Sequence, residues 1–402
     1  MNPNIRKLCA IAAKPARRII GLMSGTSFDG LDIALCEFTG SGHETGIRLL
    51  KFVTRSYTPT FKEQLKSVFA RQEANLERIT LLNAYIGAYY ARLINDCLAE
   101  WNLDAADIDL VASHGQSIFH SPKHQRPPDE YGNATLQIGD ADHLAVNTGI
   151  ITVSDFRQKH IAAGGEGAPL AVYGDYLLFS AKTENRIMLN IGGIANFTWL
   201  PARAAQTETC FSTDAGPGNT LMDQFVQASF PGRYYDKDAE IGSKGRIDEP
   251  LLAALQDHAF FKAPFPKTTG PELFNLDYLR TALKKRATAT EMTPAENATP
   301  YDIMATLARF TALSIIDAIE SALKDAKSLK HKNDFEIYIS GGGMYNPLVL
   351  RHLETHFGKK LRSTADLDIH PDAKEAVLFA LLANETIAGS PKISMGKISF
   401  PM

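Results

Sequence analysis

Apolar residues recur along this chain with two periods, and the switches between them predict alternating strands and helices. RIIGLM, from Arg18, is a strand, LDIALCEF returns beside it, and SGTSFDG between them is a glycine-rich hairpin tip. From Phe61 to Trp101 the spacing of Leu65, Phe69, Leu76, Ile79, Leu82 and Tyr85 predicts a helix. Ile108–Ala112 is a buried strand that ends in Ser113-His114-Gly115-Gln116, and 121–133, with three prolines, is a surface loop. Ile150–Ser154 is a further strand, followed by Asp155-Phe156-Arg157 and the loop 162–167. RIMLNIGGIANFTWL then repeats the strand–glycine–strand device, and CFSTDAGPGN adds a strand with an acidic, glycine-rich end. Residues 289–299 are expected to be a loop; Ile303, Leu307, Phe310, Leu313, Ile316, Ile319 and Leu323 form one helix face. FEIYIS runs into Gly341-Gly342-Gly343, and 371–388 closes the pattern as a helix. The same hairpin used once near residue 18 and once near 186 suggests two related α/β lobes.

Length changes this picture only by reinforcing it: 402 residues exceed what one core usually supports. The expected division is a disordered extension over 1–17, one lobe over 18–150 and another over 151–388, the last helix packing where the lobes meet. A net charge of −3 offers no basic surplus for nucleic acid or an anionic membrane. Four scattered cysteines without a C-x-x-C pair point away from zinc ribbons and redox dithiols and toward a reducing compartment. No apolar run reaches the ~18 residues of a spanning helix.

The candidate chemistry sits at the glycine turns. In 21–32, Gly25 and Gly30 allow backbone to approach a bulky anion, Thr26 and Ser27 add hydroxyls, and Asp29 and Asp32 are candidate Mg²⁺ ligands. A plain polar hairpin is the competing account. The turn is neither G-x-x-x-x-G-K-[ST] nor G-x-S-x-G. Gly192-Gly193 alone is an ordinary turn, and gains meaning only as the partner of the first. Asp214, at a strand end among small residues, is a candidate general base, or else a helix N-cap. Gly341, Gly342 and Gly343 offer a flat surface for a planar base, or merely a tight turn. His114 touches either substrate or backbone, and Arg157 is a substrate clamp or an ion-pair partner of Asp155. Glu375 fits a helix-dipole role.

Taken together, GLMSGTSFDGLDIALCEF, SHGQS, LQIGD, SDFR, AAGGEGAPL, LNIGGIANFTWL, TDAGPGN, KTTG and ISGGGMYNP resemble the anhydro-N-acetylmuramic acid kinase family, from about residue 18 to 388. The resemblance implies a two-lobed actin-like ATPase fold with ribonuclease H-like lobes and a central cleft. It implies ATP with Mg²⁺, phosphate contacts at Gly25–Asp32 and Gly192-Gly193, and adenosine at Gly341–Gly343. Asp214 would activate water for attack on the anomeric carbon while O6 takes the γ-phosphoryl group. His114, Arg157, Gly165 and Glu375 would contact the sugar. It further implies a cytoplasmic enzyme of cell-wall recycling, a homodimer, and no nucleic-acid or membrane partner. The chain departs from the family pattern at His160, where an aspartate is usual, at Ala171–Asp175, and at Asp140. These departures bear on which sugar is used, a simpler 1,6-anhydrohexose such as levoglucosan being the alternative. A nucleotide-binding switch of the same fold is a further alternative.

Overall fold

A computed structural model describes the chain except residues 26, 27, 124, 125, 128, 168, 169, 206–208, 291–297, 332 and 390–393, and the side chains of 171, 289 and 290. It divides into two compact units, unit 1 comprising 1–178 and 368–402, and unit 2 comprising 179–367. The divisions fall at 178/179 and 367/368 rather than at 150/151, because the strand Thr152–Ser154 and the C-terminal helix and strand belong with the N-terminal sheet. Among the described residues no helix is long and apolar enough to cross a membrane.

Unit 1 is built on strands β1 (Ala16–Ser24), β2 (Gly30–Thr39), β3 (Gly46–Ser56), β4 (Leu110–Ser121), β5 (Ala134–Ile138) and β6 (Thr152–Ser154), with the final strand Lys397–Ser399. The order runs β3-β2-β1-β4-β6-final, and β5 pairs with β4 off this path. β2 is antiparallel to β1, and β4 and β6 are parallel to it. Ile20 and Leu22 pack into a core with Tyr90 and Ile94 of the helix Leu76–Trp101. Gly21, between them, points to the opposite face, where the helix Lys374–Ala388 lies against β1.

Unit 2 is built on β7 (Arg186–Ile191), β8 (Ile194–Leu200), β9 (Phe211–Pro217), β10 (Glu336–Ser340) and β11 (Arg362–Ser363), in the order β9-β8-β7-β10-β11. β8 is antiparallel to β7 and β9, while β10 and β11 run parallel to β7. With β5 set aside, both sheets run through the third, second, first, fourth and next strand of their unit, the second strand reversed. That is the ribonuclease H-like arrangement of an actin-like chain, present once per unit. The helix Pro300–Ala322 buries Leu307, Phe310 and Ile315 against Ile187, Leu189, Phe197 and Trp199 of this sheet.

Three expectations are corrected. The extension expected to be disordered holds a helix, Pro3–Ala12: Asn2 accepts from the Asn4 N–H, Pro3 opens the first turn, and Ile11 is buried. The single helix expected over 61–101 is two, Pro59–Lys66 and Leu76–Trp101, because Ala70 turns left-handed (φ +52°) and Asn75 starts a new cap. Residues 289 and 290, read as loop, end the helix Leu276–Thr290; most of the remainder of that stretch lies outside the described residues.

A Cβ on Gly21 would stand 1.9 Å from the Ala376 carbonyl oxygen, and backbone cannot swing aside as a side-chain tip can. Gly21→Ala is therefore expected to cost about 3 kcal/mol in urea unfolding; an unchanged midpoint would show that the C-terminal helix does not press on β1.

Candidate functional site

Parallel pairing decides where the candidate residues of unit 1 gather. Leu22 is level with Ser113, and Ser113 with Ser154, so β1 and β6 end close to the level of Ser113, while β4 runs on to pair with β5. Ligand sites of open α/β sheets lie at these carboxyl ends. Beyond them come the turn 25–29, the His114-Gly115 step and Asp155–Arg157. Thr26 and Ser27 lie outside the described residues. The Gly25 carbonyl accepts from Gln116 Nε2 at 3.4 Å, and Ser24 Oγ donates to Gln116 Oε1, tying the turn to β4. Gly30 has a packing reason to be glycine: its Cβ would lie 2.4 Å from the Arg55 carbonyl oxygen.

Asp29 is exposed, and its carbonyl anchors β3 by accepting from the Tyr57 N–H at 3.1 Å. Asp32 is half-buried and accepts from Thr54 Oγ1 at 2.6 Å. Burial pushes its carboxyl up to about 6 against the pull of Thr54, and the charges of Glu375, Asp372 and Asp29 add to the rise. Among the described residues no three acidic, His or Cys groups form a ready-made metal cage.

His114 is buried, and its Nδ1–H donates to the Gly115 carbonyl at 3.0 Å. Nε2 is thus left to accept from Arg157 Nε at 2.9 Å. Burial, reinforced by the Arg157 charge, holds His114 well below its usual range, so it is neutral. Arg157 also donates from Nη1 to the Gly167 carbonyl at 2.9 Å. The ion pair considered between Arg157 and Asp155 does not form, since Asp155 pairs with Lys397 instead. Glu375 opens the helix Lys374–Ala388 with substantial exposed area, yet surrounding protein desolvates it and raises its pKa; Lys374 and Arg157 oppose that rise. Lys374 pairs with buried Asp175 at 2.8 Å.

His160, in the helix Phe156–Ala162, is tied to the turn that follows it. Its Nδ1 accepts from the Gly167 N–H at 3.2 Å, a task an aspartate oxygen performs equally well. Its ring meets Tyr173 edge-on at 5.9 Å. Gly165 lies so close that a Cβ would stand 2.2 Å from the imidazole Nε2. Asp140 caps the helix Ala141–Thr148 by accepting from the Asp142 N–H.

In unit 2 the strand register sets the site. Ser340, Asn190, Asn196 and Asp214 are successive partners across β10, β7, β8 and β9, and directly paired residues share a face. This makes a row of hydroxyl, two amides and a carboxylate near the end of the sheet that bears Gly192-Gly193 and Gly341. Asp214 is within β9, while the next helix starts at Thr220 behind Asn219, so the N-cap account of Asp214 is excluded. Its Oδ2 accepts from the Thr269 N–H at 2.8 Å and its own N–H donates to the Lys267 carbonyl at 2.9 Å. Burial pushes the carboxyl up to about 6, Thr269 pulls it down, and Glu272 raises it further.

The glycines of unit 2 divide by what a methyl group would meet. Gly341 is left-handed (φ +81°), with its Cβ position 2.6 Å from Asn190 Oδ1, and on Gly343 a Cβ would stand 2.2 Å from Ile191 Cγ2. Both are glycine because β7 is close. Gly192, Gly193 and Gly342 would meet nothing nearer than 3.5 Å. At these three positions the surrounding described residues leave room for a side chain. Sequence reasoning missed Asn190, Asn196 and Thr269 as site residues; only strand pairing brings the first two level with Asp214, and Thr269 arrives from a loop 55 positions on.

The chain matches a family model described as anhydro-N-acetylmuramic acid kinase over residues 17–396. An anhydro-N-acetylmuramic acid kinase of Pseudoalteromonas atlantica is 51% identical, all of both chains being covered. One from Caldanaerobacter subterraneus is 36% identical, over 98% of this chain and 99% of its own. Among solved structures, the activator of 2-hydroxyisocaproyl-CoA dehydratase from Clostridium difficile aligns over 93% of this chain and 97% of its own at 12% identity; its TM-score of 0.39 adds nothing to the assignment.

Because Asp214 is harder to ionise folded than unfolded, its protonated form stabilises the fold below its ordinary 3.8, and this contribution is lost as pH rises to about 6. Asp214→Asn, which retains an acceptor for Thr269, is expected to be about 1–2 kcal/mol more stable than the parent at pH 7.5. The gain should vanish below pH 4; a variant less stable at pH 7.5 in thermal melts would contradict the assignment of strain to this charge.

Proposed function

The chain belongs to the anhydro-N-acetylmuramic acid kinase family, and on that premise we propose that it uses ATP and water to open 1,6-anhydro-N-acetylmuramic acid and phosphorylate O6. The product is N-acetylmuramic acid 6-phosphate, and the setting is cytoplasmic recycling of cell-wall sugar. The observation that carries this reading is Asp214: a half-buried carboxylate, held at one oxygen by the Thr269 N–H and raised to about 6, on a row of polar side chains. It is basic enough to take a proton from water and still ionised at pH 7. Water then adds to the anomeric carbon, the C1–O6 bond breaks, and O6 takes the γ-phosphoryl group with release of ADP. Asp214 finally returns the proton to solvent.

The remaining residues position and neutralise. In unit 1 the turn from Gly25 to Asp32, Thr26 and Ser27 included, contacts phosphate. In unit 2 Gly192 and Gly193 contact phosphate, and Gly341–Gly343 line adenosine. Asp29 and Asp32 would hold Mg²⁺, which when bound would spread the phosphate charge. The negative field already raising Asp32 is what such a cation relieves. Arg157 offers its guanidinium to the sugar, His114 fixes that guanidinium, Glu375 accepts sugar hydroxyls, and Gly165 contacts the sugar beside them. His160 and Tyr173 motivate a simpler anhydrohexose. In the structure His160 accepts from the Gly167 N–H and its ring meets Tyr173.

Incubation with Mg-ATP and a panel of anhydro sugars, followed by mass, is expected to give the phosphate of anhydromuramic acid. Turnover on levoglucosan alone, or ADP without sugar phosphate, would overturn the reading. Asp214→Asn should lose at least ~100-fold in kcat, and wild-type kcat should fall on the acid side with a midpoint near the pKa of about 6. Gly342→Ala should raise KM for ATP by about 10-fold with melting unchanged, as expected for lost close contact worth about 1.4 kcal/mol. An unaltered KM would remove Gly342 from the nucleotide site.

A further inference from the structure

Lys267 stands out among groups that the proposed reaction does not use. It is 9% exposed, and among the described residues its ammonium has no ion-pair partner. Nζ donates to the Phe260 carbonyl at 3.0 Å and lies 4.4 Å from the Phe265 ring centre, 4.5 Å from Phe260 and 6.0 Å from Phe261. A desolvated cation enclosed by aromatic faces is held firmly. Burial lowers its pKa, and the field of Asp317 opposes that fall. The cost of burying an ammonium is substantial, and a methionine would fill the same volume without it.

The backbone of the same residue is fastened to the strand that carries the base. The Lys267 N–H donates to Thr213 Oγ1 at 2.9 Å, Thr213 Oγ1 faces the Lys267 carbonyl at 3.1 Å, and that carbonyl accepts from the Asp214 N–H at 2.9 Å. Two residues on, Thr269 donates to Asp214 Oδ2. The segment 267–269 is thus clamped at its start by the caged ammonium and delivers, at its end, the hydrogen bond to the carboxylate. Thr269 Oγ1 is buried beside it without a partner among the described residues.

We propose that Lys267 is a positioning residue for Asp214: its aromatic cage fixes the segment that aims the Thr269 N–H at the carboxylate. The inference rests on Asp214 being the base. Glu272 faces Asp214 and Asp317 faces Lys267, and neither changes in the test. A residue that only filled the core would alter melting and leave the titration of the base alone. A positioning residue alters the titration, because a hydrogen bond to the charged form lowers a carboxyl pKa and its loss raises it.

The test is the pH profile of kcat for Lys267→Met and Lys267→Arg, with Asp214→Asn alongside. Lys267→Met is expected to lose about 10–100-fold in kcat, the scale of a misplacement near 1 Å, with KM for ATP and sugar within about 3-fold. Its acidic limb should move to higher pH. Lys267→Arg, which keeps a cation in the cage, should restore most of kcat and the limb. A folded Lys267→Met with unmoved limb and unaltered kcat overturns the inference, as does a loss of melting temperature without a shift in the limb. Should that variant not fold, Thr213→Val cuts the same tie from the strand side; an unmoved limb there overturns the inference equally. Near-wild-type turnover in Asp214→Asn overturns the base assignment and this inference with it. An inactive Asp214→Asn beside an unaltered Lys267→Met overturns this inference alone.

Discussion

The parallel pairing of β4 on β1, and of β10 on β7, is the constraint on which the rest depends. A hairpin alone would point its glycine tip at solvent. Once a parallel strand joins the first strand of the hairpin, its carboxyl end is brought level with that tip. Leu22 beside Ser113 brings the turn 25–32 to His114, and Asn190 beside Ser340 brings Gly192-Gly193 to Gly341. Each unit repeats this arrangement with its own sequence. The chemistry is then a matter of which side chains stand at those ends.

Both units place carboxylates where desolvation works against their charge. Asp32 and Asp214 each rise to about 6, for the same leading reason but with different neighbours. Around Asp32 the neighbours are other carboxylates, which invites a cation. Around Asp214 they are a backbone donor and a single carboxylate, which leaves the group able to accept a proton. His114 shows the converse: buried beside a guanidinium, it stays neutral and serves as an acceptor that orients Arg157. One physical term, burial, therefore yields three roles according to what stands next to it.

Much of the fold was legible in the chain because it rests on local signals. The hairpins, the glycine turns and the helix 300–322 follow from periodicity and turn chemistry. What was not legible is pairing. β3 and β5 carry weak alternation and are strands because β2 and β4 offer them partners. The helix at Pro3–Ala12 was missed although Asn2 and Pro3 announce it. For the site, glycine was a good guide but an incomplete one: Gly30, Gly341 and Gly343 are explained by backbone contacts, and Gly192, Gly193 and Gly342 are not. Asn196, Lys267 and Thr269 join Asp214 only through long-range register and a distant loop, which no local pattern encodes.

The central claim is that Asp214 directs water to the anomeric carbon while phosphate passes to O6. Turnover in ¹⁸O-labelled water, quenched rapidly and read by mass fragmentation, tests it most directly. The account predicts one ¹⁸O at C1 of the sugar phosphate and none in its phosphate group. Label in free inorganic phosphate, with the sugar unlabelled, would contradict it.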